Sequence, residues 1–169
     1  SSLYHCDEPE WRGEIERCFL CFAREVAGNR RCPDFLLYWD SVFRLIPSGS
    51  VSSASGFLAG AVRSGIKSED ELDLAILCSE VPCAAAGVFT TNQIKSAPVI
   101  LSRSHIAERR AQAIVANSGC ANACVGAQGL ADAREMAELA AAKLSIYPEE
   151  VLVASTGIIG VPLPMDCIR

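Results

Sequence analysis

Near its C-terminus the chain sets a hydroxyl beside a glycine at the end of a short apolar run: Val151-Leu152-Val153-Ala154 leads straight into Ser155-Thr156-Gly157. Val151 to Ala154 has the length and β-branching of a buried strand. The small residues that follow predict that the strand stops there and that the backbone turns with its N–H groups outward. A hydroxyl next to an exposed backbone N–H, both held by a rigid strand, is a donor pair suited to the oxyanion of acyl transfer. Taken alone, the same residues also fit an ordinary strand-to-loop turn. The segments upstream separate the two readings.

Ala86-Gly87-Val88-Phe89-Thr90-Thr91-Asn92 is followed by Ala97-Pro98-Val99. Next comes Ala113-Ile114-Val115-Ala116-Asn117-Ser118-Gly119-Cys120-Ala121-Asn122-Ala123-Cys124, which leads through Gly126 and Gly129 into Ala131-Asp132-Ala133. In this order and at this spacing, with Ser155-Thr156-Gly157 last, the segments resemble the ornithine acetyltransferase family (glutamate N-acetyltransferase, ArgJ) of arginine biosynthesis. The resemblance runs from about Ser55 to Arg169.

The resemblance implies an α/β fold, a layered α/β/β/α sandwich of the self-cleaving type, of which this chain holds the N-terminal portion. It implies movement of the acetyl group from N-acetyl-L-ornithine to L-glutamate, with acetyl-CoA as a further acetyl donor and no cofactor. In the family the precursor cuts itself at an Ala–Thr bond. The new N-terminal threonine carries the acetyl group, and its free amine acts as base. The implied partner is the beta chain of the same precursor, in an α2β2 heterotetramer. Thr156 and Gly157 would supply the hydroxyl and the N–H of the oxyanion hole.

The chain departs from the family in two places. The family's cleavage segment, ending in Met-Ala-Thr, lies several dozen residues beyond the Ser-Thr-Gly turn, whereas twelve residues follow Gly157 here. The nucleophile and the family's substrate-binding residues are therefore not carried over, and the chain alone is expected to be inactive. The family's Asn-Ser-Gly-Asn-Ala-Asn also reads Asn117-Ser118-Gly119-Cys120-Ala121-Asn122, with a thiol that packs but cannot copy an amide. Asn117 and Asn122 are expected to hold this loop rather than touch substrate. Thr90, Thr91 and Asn92, at the end of an expected strand, either line the pocket or form a turn.

Composition narrows the classes further. Half of the 169 residues are hydrophobic and 21% are charged, which suits a packed core rather than disorder. A formal charge of −5 argues against nucleic-acid binding, and Arg103, Arg109 and Arg110 read as a solvated face. No run of about 18 apolar residues predicts a membrane span. The start Ser1-Ser2-Leu3 has neither an initiator methionine nor a signal-peptide pattern, pointing to a fragment or processed product. Nine cysteines without a secretion signal read as reduced thiols in the cytoplasm, or in the mitochondrial matrix of a eukaryote.

Residues 1–50 differ in character from 51–169. They hold Trp11, Trp39 and four cysteines, with a short helix expected over Glu14–Val26, and Pro47 to Gly56 reads as a Ser/Gly linker. His5, Cys6, Cys18, Cys21 and Cys32 have the residue types of a zinc set, but with a single Cys-x₂-Cys pair no metal is expected. Two other readings remain: a self-cleaving aminopeptidase of similar fold, and a Cys-rich zinc module fused to an inactive α/β remnant. Beyond the linker, strands are predicted at Leu72–Cys78, Val88–Thr91, Val99–Leu101, Ala113–Ala116 and Val151–Ala154. Helical turns are predicted at Ser104–Arg110, capped by Ser104. A helix over Leu130–Leu144 carries the stripe Leu130, Ala133, Ala137, Ala140 and Leu144, with Asp132, Glu135, Glu138 and Lys143 off it. His105 reads as an exposed helix residue.

Overall fold

The structure, a computed structural model, describes residues 49–67 and 70–169. The expected helix Glu14–Val26 and the His5, Cys6, Cys18, Cys21 and Cys32 set lie outside the described residues. Four strands form one sheet in the order β1-β2-β3-β4: β1 Phe57–Val62, β2 Leu74–Ala84, β3 Arg110–Cys120 and β4 Val151–Ile158. The first three run antiparallel to their neighbours; β3 and β4 run parallel. Parallel neighbours need a crossover, and α2 (Ala127–Leu144) supplies it.

Strand β3 alternates as a half-covered strand should: Ala111, Ala113, Val115 and Asn117 are buried, while Ile114 is exposed. The register extends this into rows across the sheet. Leu58, Cys78, Ala113 and Val151 share one face with Gly60, Ile76, Val115 and Val153. The core lies here, where Ala133, Met136, Ala137 and Ala141 of α2 and Leu101 of α1 (Ala97–His105) join Ala113, Val115, Val151 and Val153. The opposite face presents Ala59, Leu77, Ile114 and Leu152, then Ala61, Ala75, Ala116 and Ala154. Ala59, Ala61, Ala75, Ile114 and Ala154 are exposed. Helices on one side and an open apolar face on the other make one helix layer and one sheet layer, half of an α/β/β/α sandwich.

Helix α1 replaces the expected strand Val99–Leu101. Pro98 sits in its first turn, where the missing N–H costs nothing and the fixed φ already suits a helix, and Ser96 precedes it with extended backbone. Proline opening a strand and proline opening a helix look alike in sequence; the helix wins because this segment packs against the outer edge of β4. Ser102 Oγ donates to Val153 O at 2.8 Å and accepts Val153 N–H at 2.9 Å. His105, half-buried rather than exposed, places Nδ1 2.8 Å from Val151 O. Ser104 is no cap: it lies in the last turn of α1 and donates to Leu101 O. A 3₁₀ turn, Ile106–Glu108, and Arg109 at φ +56° then lead into β3.

The expected strand Val88–Thr91 is absent. Ladder pairing of this arm ends with Ala85 N–H on Arg109 O, and Val88 is 99% exposed, with no neighbouring strand to pair with. Conversely, Phe57–Val62 is a strand although its Leu-Ala-Gly-Ala core carries no clear alternation. Helix α2 begins three residues before the expected helix and ends at Ser145, whose left-handed backbone (φ +57°) returns its N–H to Ala141 O. Asp132, expected off the stripe, is buried and accepts from Gln128 Nε2 at 2.7 Å. A short α3, Met165–Ile168, brings Met165 into the core behind Leu163. Among the described residues no helix is long and apolar enough to cross a membrane, and no three His, Cys, Asp or Glu side chains gather as a metal set.

Candidate active site

Thr156 and Gly157 lie within β4, which continues to Ile158 rather than stopping at Ser155. The parallel ladder runs on through Ser118↔Thr156, Gly119↔Gly157 and Cys120↔Ile158. Two glycines make this extension workable. Gly119 has φ +107° and Gly157 φ +132°, backbone that side-chain-bearing residues rarely adopt. A Cβ on Gly157 would collide with the backbone carbonyl of Gly119, so the strands approach as only glycine permits. Alternation puts the Thr156 side chain on the open sheet face with Ala154 and Leu152, and sends Ser155 toward the helices with Val153. Thr156 and Gly157 are both exposed. A hydroxyl and a glycine backbone thus stand at one end of the bare apolar face, on a rigid strand pair.

Beside this segment the two asparagine amides donate to backbone, while Asn117 Oδ1, Asn122 Oδ1 and Ser155 Oγ are buried without a hydrogen-bond partner among the described residues. Asn117 Nδ2 donates to Cys120 O at 2.9 Å, and Asn122 Nδ2 donates to Gly129 O at 2.8 Å. Both asparagines are buried, so they are turned away from any ligand on the open face. Ala121 N–H donates to Ile158 O at 2.9 Å and Gly160 N–H to Ala123 O at 2.8 Å, stitching the loop after β3 to the segment after β4. Cys120 is buried and directs Sγ at Val161 O, 3.2 Å away, so its thiol packs within the same seam.

Thr90, Thr91 and Asn92 are exposed and lie in a loop. Asn92 N–H donates to Thr90 Oγ1 at 3.1 Å, Ile94 N–H to Asn92 Oδ1 at 3.2 Å, and Lys95 Nζ to Asn92 O at 2.6 Å. These are side-chain-closed turns. No hydrogen bond among the described residues links them to Thr156 or Gly157.

Cys78, Cys83, Cys120, Cys124 and Cys167 are all free. Burial, and secondarily the neighbouring Cys83, push the Cys78 thiol upward, the opposite of activation. His105 is engaged by the Val151 carbonyl.

Sequence reasoning passed over Asp73. Its side chain, 2% exposed, accepts Ser64 N–H at 2.6 Å, Ser64 Oγ–H at 2.8 Å, Gly65 N–H at 3.1 Å and Lys67 N–H at 2.9 Å. Its carbonyl accepts Ser118 N–H at 2.8 Å. The Lys67 and then the Ser64 backbone bonds hold the carboxyl well below the usual carboxylate range, against the opposing effect of desolvation. The available signal was an acid between Leu72 and Leu74 at the mouth of a strand, a few residues after Ser64-Gly65.

Comparison with known proteins bears on what this site belongs to. The ArgJ family model matches residues 58–169. The arginine biosynthesis bifunctional protein ArgJ of Symbiobacterium thermophilum is 55% identical over 121 residues, covering 70% of this chain and 30% of that protein. Its counterpart in Dehalococcoides mccartyi is 50% identical over 127 residues, covering 74% of this chain and 31% of the relative. The chain thus spans about a third of the length of these curated relatives. Among solved structures, ornithine acetyltransferase from Mycobacterium tuberculosis, in complex with ornithine, superimposes with a TM-score of 0.71 at 46% identity, over 74% of this chain and 68% of that one. ArgJ from Bacillus halodurans gives 0.68 at 43% identity, over 71% and 63%. With an α/β layer, the Ser155-Thr156-Gly157 segment on its parallel strand pair and these matches, the chain belongs to the ArgJ family.

Proposed function

We propose that residues 51–169 form the N-terminal part of a glutamate N-acetyltransferase that moves the acetyl group of N-acetyl-L-ornithine to L-glutamate, with Thr156 and Gly157 as its oxyanion hole. The observation that carries this reading is the glycine-only approach of Gly119 and Gly157, which holds an exposed hydroxyl and glycine backbone at the end of the open sheet face. The chemistry follows from what such a pair can do. A threonine hydroxyl from the following part of the protein attacks the acetyl carbonyl, whose oxygen gains negative charge as the carbon becomes tetrahedral. Thr156 Oγ–H and Gly157 N–H donate to that oxygen. The C–N bond then breaks, ornithine leaves with a proton, and the acetyl group stays on threonine until the glutamate amine takes it. Two donors fixed on paired strands need no reorganisation as charge develops.

The remaining parts of the proposal concern the whole protein. Cleavage at an Ala–Thr bond would create the nucleophile, and its own amine would serve as base. The open face of Ala59, Ala61, Ala75, Leu77, Ile114, Ala116, Leu152 and Ala154 suits a second sheet from the beta chain, in an α2β2 assembly in the cytoplasm. Acetyl-CoA would act as a further acetyl donor.

The test joins this chain to the downstream segment of the S. thermophilum relative and assays N-acetylornithine against glutamate. Turnover by the joined protein, and none by the 169-residue chain alone, is the expected result. Turnover by the chain alone, or a self-cleaved joined protein that transfers nothing, would remove the proposal.

A further inference from the structure

The loop Ser64–Lys67 has no regular structure, yet it lies against the end of β3. A Cβ placed on Gly119 would come within 2.9 Å of both Ile66 Cγ2 and Lys67 Cγ. Gly119 is therefore enclosed twice, by this loop and by Gly157 of β4. What holds the loop there is Asp73. Its two carboxylate oxygens collect three consecutive-region backbone donors and one hydroxyl from Ser64, Gly65 and Lys67, and its carbonyl ties Ser118 of β3 to the same point. Each of these is a hydrogen bond to a charged acceptor or across a strand end, and Asp73 itself is buried. Lys67 Nζ is turned outward to Glu71, 3.0 Å away, so the Lys67 side chain does not compete for the Asp73 carboxylate.

We propose that Asp73 is a positioning residue for the oxyanion turn: it seats the Ser64–Lys67 backbone on Gly119, and Gly119 so confined fixes Gly157 and with it Thr156. The inference rests on the oxyanion reading of Thr156 and Gly157. The path is short: carboxylate to loop amides, a loop seated so close to Gly119 that no side chain fits between, and Gly119 as close to Gly157. Gly119 lacks a side chain that would brace it, so without the loop its positive-φ backbone is held from the β4 side alone. An asparagine in place of Asp73 keeps the size but presents a single carbonyl oxygen and an NH₂ that faces donors, so part of the loop must let go.

The experiment compares Asp73→Asn with Met136→Ala, a buried helix-core change that leaves every Asp73 hydrogen bond in place, in the chain joined to the downstream segment of the S. thermophilum relative. Asp73→Asn should lower kcat on the order of 10²-fold, the scale of a misplacement of about 1 Å at a reacting centre, with KM for N-acetylornithine little changed. Met136→Ala should cost stability and leave kcat near that of the parent. Equal loss of kcat in both variants, or none in Asp73→Asn, would overturn the proposal. If the joined parent has no activity, the oxyanion reading fails first. Amide hydrogen exchange in the 169-residue chain then decides the positioning itself. Faster exchange at Gly119 and Gly157 in Asp73→Asn, but not in Met136→Ala, supports the clamp. Unchanged exchange at both glycines refutes it.

Discussion

Gly157 lies opposite Gly119 in the parallel β3–β4 register, and each holds a positive φ, +132° and +107°, that its own lack of a side chain makes possible. The pair is a local exception to strand geometry, placed where the proposed chemistry occurs. Backbone in sparsely populated regions persists when its surroundings over-determine it, and here the Asp73 loop and the β3–β4 ladder do so.

Gly157→Ala should therefore be costly in two ways. The new Cβ must adopt a disfavoured φ, on the order of 1–3 kcal/mol, and it also meets the Gly119 backbone. A clear fall in the denaturation midpoint is expected. Gly60→Ala is the control: its Cβ would have nothing within 4 Å, so a change within about 0.5 kcal/mol is expected. Similar midpoints for the two variants would show that the β3–β4 approach is looser than described.

Thr156→Val removes the hydroxyl and keeps the shape, on an exposed strand position. In the joined enzyme, kcat should fall about 10²–10³-fold, the usual cost of one lost oxyanion donor. The midpoint of unfolding should scarcely move. An unchanged rate would assign the hydroxyl no part in catalysis.

Ser102→Ala tests how α1 is fastened to the sheet. One hydroxyl satisfies both the N–H and the carbonyl of Val153 at the outer edge of β4. Its loss leaves two backbone groups to be rematched in a buried place. A destabilisation of about 1–3 kcal/mol is expected from chemical denaturation, and hydrogen exchange at Val153 should quicken.

Acid should expose the Asp73 clamp. In the unfolded chain an aspartate titrates near about 3.9, whereas folded Asp73 is held well below that by the Lys67 and Ser64 amides. As pH falls below about 4, the unfolded chain takes up the proton before the folded one does, so stability drops. The contribution is complete above about pH 4 and disappears as pH approaches the folded value. Glu135, lowered mainly by its hydrogen bond from Arg169, adds a parallel effect. Asp73→Asn should start less stable near neutral pH and lose less on acidification, so the two midpoint curves converge. Parallel curves would show that Asp73 titrates as an ordinary aspartate.

Much of this protein could be read from residue order alone, because the informative patterns are local. The apolar runs at Ala113–Ala116 and Val151–Ala154 and the alanine stripe of Leu130–Leu144 each record burial in residues that are adjacent or nearly so. The ordered segments from Ala86 to Gly157 pointed to the family. Other features depended on what lies alongside. Pro98 is compatible with opening a strand or a helix, and only the unpaired edge of β4, waiting for Ser102 and His105, decides for the helix. Leu-Ala-Gly-Ala in β1 becomes a strand because β2 offers it a ladder, while Val88–Thr91, with better strand residues, has no partner and stays a loop. Asp73 and Gly119 were silent for the same reason. A carboxylate that gathers amides six to nine residues away, and a glycine confined by two separate segments, acquire their meaning from register and packing, which join parts of the chain that sequence keeps apart.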